Sequence, residues 1–125
     1  MFEVDGLNIY LTRGDVAVLE VSAQNADGSV YTFQPGDVVR LNVCIKNHHE
    51  NIVLTKEVSV DEEVTSVSIS LSSSDTRIGE LINKPKDYWY EIELNPDSVP
   101  QTIIGYDQDG PKIFRLYPEG EEQNE

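Results

Sequence analysis

Positive charge, cysteine and histidine are all scarce in this sequence, and each scarcity removes a class of function. Nine Lys and Arg stand against 23 Asp and Glu, a net charge of −14 with a pI near 4.3. A surface so acidic repels phosphate backbones and anionic headgroups, so neither nucleic acid nor a membrane is an expected partner. Its ordinary consequence is solubility. The single cysteine, Cys44, leaves no intrachain disulfide and no thiolate zinc site. No apolar run approaches the roughly 18 residues that cross a bilayer. The start, Met1-Phe2-Glu3-Val4-Asp5, lacks the basic and apolar regions of a signal peptide. The expectation is a chain kept in the cytoplasm, or released by a route other than secretion.

What is present is strand after strand. With 125 residues there is room for one domain. Leu7 to Leu11 alternates apolar and polar, and Val16 to Ala23 puts Ala17, Leu19, Val21 and Ala23 on one face. That period of two marks a half-buried strand. Asn25-Ala26-Asp27-Gly28 and Gln34-Pro35-Gly36-Asp37 carry turn chemistry around a brief strand at Val30-Tyr31-Thr32-Phe33. Val38 to Lys46 alternates Val39, Leu41, Val43 and Ile45 with Arg40, Asn42, Cys44 and Lys46. Ile52 to Val60 returns, and Val67, Ile69 and Leu71 alternate with serines. Ser72-Ser73-Ser74-Asp75 supplies a helix cap, and Ile78, Leu81 and Ile82 fall at helical spacing, which predicts one short helix closed by Pro85. Tyr88 to Leu94 is an aromatic strand, and Thr102-Ile103-Ile104 with Ile113 to Tyr117 predicts a last hairpin.

Seven to nine short strands separated by turn signals predict an all-β fold, an immunoglobulin-like antiparallel β-sandwich with one short helix. The domain is expected over residues 1–117, with 118–125 an acidic flexible tail that has nothing to bury. Lys46, Lys56, Glu57 and Glu91 are expected to blunt sheet edges.

Chemistry-bearing residues are each better read as structure. His48 and His49 are neighbours on a polar hairpin tip, a spacing poor for chelating one metal. Cys44 lies opposite the apolar face of its strand without an electropositive setting, which makes it a buried structural cysteine rather than a nucleophile. Glu91 and Glu93 share a strand face but no other feature singles them out as a glycosidase pair. No Gly-x-Ser-x-Gly elbow accompanies the many serines. Asp107-x-Asp109-Gly110 begins like a calcium loop, yet its twelfth position is Pro118 where a glutamate is required. Arg13-Gly14-Asp15 spells a tripeptide that integrins read, and it is also ordinary turn chemistry. The expectation is no enzyme, no cofactor and no metal. Trp89, flanked by Tyr88 and Tyr90, is the candidate binding platform for a sugar or a protein partner. The competing reading covers both faces of this strand and packs Trp89 under the helix of Ile78 and Leu81.

Taken in order, several stretches resemble the small immunoglobulin-like N-terminal domain of phage and prophage tail proteins of the baseplate upper protein type. These are Ile9-Tyr10-Leu11-Thr12-Arg13-Gly14-Asp15, the alternating strand, Asp27-Gly28, and Phe33-Gln34-Pro35-Gly36-Asp37-Val38-Val39-Arg40-Leu41. Ile69-Ser70-Leu71-Ser72-Ser73-Ser74-Asp75-Thr76 resembles that family's step into a short helix, and Tyr88-Trp89-Tyr90-Glu91-Ile92 its aromatic strand. The likeness runs from Leu7 to Tyr117. Family members usually continue into trimerisation or receptor-binding regions, where this sequence has its acidic segment. The resemblance implies a docking domain in a tail or baseplate assembly, with other tail proteins or further copies of the chain as partners. It also implies a virion location, or the host bacterial cytoplasm before assembly. The alternative is a free-standing binding module for carbohydrate or a cell-surface protein.

Overall fold

The computed structural model describes residues 2–5, 8–25, 27–45, 52–79, 83–105 and 110–119. Nine strands lie among them: β1 (Phe2–Asp5), β2 (Asn8–Thr12), β3 (Ala17–Val21), β4 (Val38–Cys44), β5 (Ile52–Ser59), β6 (Val67–Leu71), β7 (Lys86–Leu94), β8 (Gln101–Ile104) and β9 (Lys112–Tyr117). Seven form one sheet in the order β1-β2-β9-β7-β4-β5, with β8 added to β7, and β3 pairs with β6 in a second sheet. Alternation decides which side chains meet between them. β3 and β6 bury every second residue, and β4, β7 and β9 turn Leu41, Ile92 and Phe114 inward. Leu19 and Ile69 from the small sheet join these residues in one apolar core, so the two sheets share a single interior. The arrangement is all-β and consistent with a β-sandwich.

Several expectations are corrected. The described residues contain no helix, and Ser73–Thr76 is a turn. Ser72 and Asp75 do bond reciprocally as a helix cap should, at 2.8 and 3.2 Å. The carbonyls of Arg77, Ile78 and Gly79, which a helix would offer four residues on, are instead taken by the Arg13 guanidinium. Gly79, at φ +71°, has left the helical region, while Ile78 is buried in the core; Leu81 and Ile82 lie outside the described residues. Val30 to Phe33 is not a strand but two isolated bridges, Gln24 to Val30 and Phe33 to Val64. β8 and β9 do not form a hairpin. Both lie along the same edge of β7, β9 beside Lys86–Tyr90 and β8 beside Ile92–Leu94. The sheet is not wholly antiparallel either, because β2 runs parallel to β9. Glu91 sits on an interior strand, so it blunts no edge, whereas Lys56 and Glu57 do lie on the terminal strand β5. Lys46 is outside the described residues.

A polar staple joins the start of β4 to the end of β7. Asp37 accepts hydrogen bonds from the Gln34 N–H (2.9 Å), the Tyr31 hydroxyl (2.7 Å) and the Asn95 amide (3.1 Å). Asn95, in the left-handed region at φ +50°, accepts from the Val38 N–H at 2.8 Å. Partial burial pushes the Asp37 carboxyl up, but the three hydrogen bonds outweigh it and hold it below the usual carboxylate range. A depressed folded value means stability that is present above the unfolded value of about 3.9 and lost as pH falls through the folded one. Asp37→Ala is therefore expected to cost about 1–2 kcal/mol at pH 7 in urea unfolding. The gap between the two proteins should narrow below about pH 4. A gap that is unchanged at pH 3 would show that Asp37 does not act as a carboxylate.

Candidate functional site

Register sorts the outer face of the seven-stranded sheet into cross-strand rows. One apolar row runs Ile113, Trp89, Cys44, Ile52 across β9, β7, β4 and β5. Above it in the same sheet, Tyr10, Arg115 and Asp87 face one another; Arg115 binds Asp87 at 2.6 Å and lies 5.4 Å from the Tyr10 ring centre. Below it runs Glu91, Asn42, Thr55, with the Thr55 hydroxyl donating to the Asn42 carbonyl at 2.9 Å. The last row is Glu93, Arg40, Glu57, and here Arg40 binds both Glu57 and Asp97. Hydrogen bonds to Asp97 and then Glu57 raise the Arg40 guanidinium further above its ordinary value. Glu57 and Asp97 are thus engaged as counter-ions of Arg40.

Burial on this face does not follow simple alternation. Cys44 is 1% exposed, Asn42 4% and Glu91 5%, although all three point away from the core. β4 and β7 are interior strands, with a paired strand on either side. Trp89 and Ile113 are half-buried and Ile52 is exposed. The apolar row is therefore partly open, bordered on both sides by polar rows, which is the layout of a protein-docking patch: apolar centre, polar rim. An open groove of about 510 Å³ lies beside it, walled by Pro96 and Pro100 over Arg40 and Thr55.

The three residues singled out in the sequence separate. Tyr88 and Tyr90 are each 2% exposed and belong to the core. Burial pushes the Tyr90 phenol well above the usual tyrosine range, so it stays protonated. Trp89 alone of the three faces outward, beside Cys44 and Ile113 and on the opposite side of the sheet from Ile78. Cys44 is buried, as a structural cysteine should be. His48, His49, Asp107 and Asp109 lie outside the described residues. Among the described residues no three His, Cys, Asp or Glu converge as a metal site.

Arg13-Gly14-Asp15 is built into the fold rather than displayed. The Arg13 side chain, 6% exposed, donates to the Gly79 carbonyl at 2.9 Å and lies 3.6 Å from the Glu119 carboxylate. Thr76 accepts from the Gly14 N–H at 3.0 Å and donates to the Asp15 carbonyl at 2.8 Å. Gly14 sits at φ +90°, a conformation that side chains rarely adopt, and a Cβ there would also meet the Glu119 carboxylate at 2.6 Å. A guanidinium committed in this way is not available to an adhesion receptor. Glu119, expected in a loose tail, is instead held by Arg13 and Arg77, and residues 120–125 lie outside the described residues.

No known protein family, characterised protein or solved structure matches the chain.

Proposed function

We propose that this chain is a non-catalytic docking domain of a phage or prophage tail assembly, attached through the outer face of its seven-stranded sheet. The observation that carries the docking part is the half-open apolar row Ile113, Trp89, Ile52 between polar rows on a rigid sheet face. The tail assignment rests on the ordered resemblance from Leu7 to Tyr117. The topology supports an immunoglobulin-like reading. β9, β7, β4 and β5 follow the order of strands G, F, C and C′ of a variable-type domain, and β3 with β6 occupies the place of B and E. The parallel pairing of β2 with β9 fits the same scheme with β2 as the leading strand.

The test is the composition of tail particles. Particles purified from an induced lysogen that encodes the chain should contain it in fixed ratio to the other tail proteins by quantitative mass spectrometry. Its absence from particles, with the protein abundant in the same lysate, would overturn the tail assignment.

A further inference from the structure

We infer that a second site, at the opposite end of β7 from Trp89, binds a neutral oligosaccharide. A cleft of about 760 Å³ opens where the residues following β3 meet β8. One lip carries Ser22, Gln24 and Asn25 and the other Gln101 and Thr102. Val21, Ala23, Leu94, Ile103 and Ile104 add apolar lining, with Tyr31 beside them.

Three features set its ligand chemistry. The first is the lips. In a chain with 23 acidic residues, these five side chains are all uncharged amides and hydroxyls, and among the described residues Glu20 is the one carboxylate in the lining. Amides and hydroxyls both donate and accept, which suits the hydroxyls of a sugar. The second is the ring. The Tyr31 hydroxyl is bound to Asp37 at 2.7 Å and its ring meets Phe33 edge-on at 5.2 Å and 87°. The Tyr31 side chain is thereby held in place beside the cleft, with little rotamer entropy left to lose when a sugar packs against it. The third is the field. Among the described residues no basic side chain lines the cleft, and the chain carries −14, so an anionic ligand is repelled.

Carbohydrate binding here is independent of the tail assignment and of Trp89. The test is ¹⁵N NMR titration of the intact chain with maltohexaose, chitohexaose, cellohexaose and a rhamnose oligosaccharide, with polygalacturonate as the anionic control. At least one neutral probe should shift amides within 22–25 and 101–104. The exposed double variant Gln24→Ala/Gln101→Ala should weaken that binding about tenfold or more. Trp89→Ala should leave it unchanged. No shifts with any neutral probe, equal binding by the double variant, shifts confined to the Trp89 face, or a preference for polygalacturonate would each overturn the inference. So would tighter binding at the same amides by a lysine-rich peptide, which would make the cleft a protein site.

Discussion

Phe114→Ala should lower stability by about 3–5 kcal/mol, the range expected for truncating a fully buried phenylalanine. Phe114 is fully buried at the centre of β9, opposite Ile9 of β2 and Tyr88 of β7. β9 is the strand that joins β1 and β2 to the rest of the large sheet, so a void beneath it removes contacts from both neighbours. Close packing leaves little room for the surroundings to collapse into that void. Against a total stability of about 5–15 kcal/mol, the variant would retain only a small margin. A fall in Tm of about 10–20 °C follows. The comparison is Val16→Ala, whose side chain is 70% exposed, and which should stay within about 0.5 kcal/mol of wild type. Urea unfolding followed by Trp89 fluorescence measures both. A Phe114→Ala loss below about 1 kcal/mol would mean that the two sheets do not share this core.

Arg13→Ala should cost about 2–3 kcal/mol, although the residue sits in a turn and its side chain belongs to neither sheet. Its short bond to the Gly79 carbonyl, with longer ones to Ile78 and Arg77, fixes the path of 77–79 where a helix would otherwise run. Removing the guanidinium leaves those carbonyls without their donor in a semi-buried site, while Glu119 keeps Arg77, and an unsatisfied polar group costs more than a made hydrogen bond returns. Arg13→Lys keeps the charge but not the planar fork, so it should recover less than half of the loss. Glu119→Gln should cost less than Arg13→Ala, because the backbone bonds survive. Equal stabilities for Arg13→Ala and wild type would remove the claim that this tripeptide is a structural clasp.

The strands with strict alternation were legible from the sequence because a single buried face imposes a period of two. Ala17, Leu19 and Val21 are buried and Val18 and Glu20 exposed, as the pattern requires. The same reasoning failed where the partner lay far away in the chain. The cap and apolar spacing at 72–82 satisfied every local rule for a helix, and Arg13, more than 60 residues earlier, took the carbonyls. Nor does periodicity report parallel pairing, so the β2–β9 contact was invisible. Of the candidate platform, alternation alone separated Trp89 from Tyr88 and Tyr90. What it could not supply was the lateral alignment of Ile113, Trp89, Cys44 and Ile52, which depends on register between four strands. The cleft beside Tyr31 was hidden for the same reason. Its two lips are separated by more than 70 residues, and no local pattern joins Ser22 and Gln24 to Gln101.

The central claim is attachment through the outer sheet face, and the most direct measurement is particle incorporation of Trp89→Ala beside wild type. The variant should remain folded, shown by wild-type amide dispersion in its ¹⁵N NMR spectrum, and should be depleted at least about tenfold from purified tail particles, as expected when a central aromatic of an interface is removed. Incorporation of the folded variant at the wild-type ratio would contradict the claim and move the docking surface elsewhere on the domain.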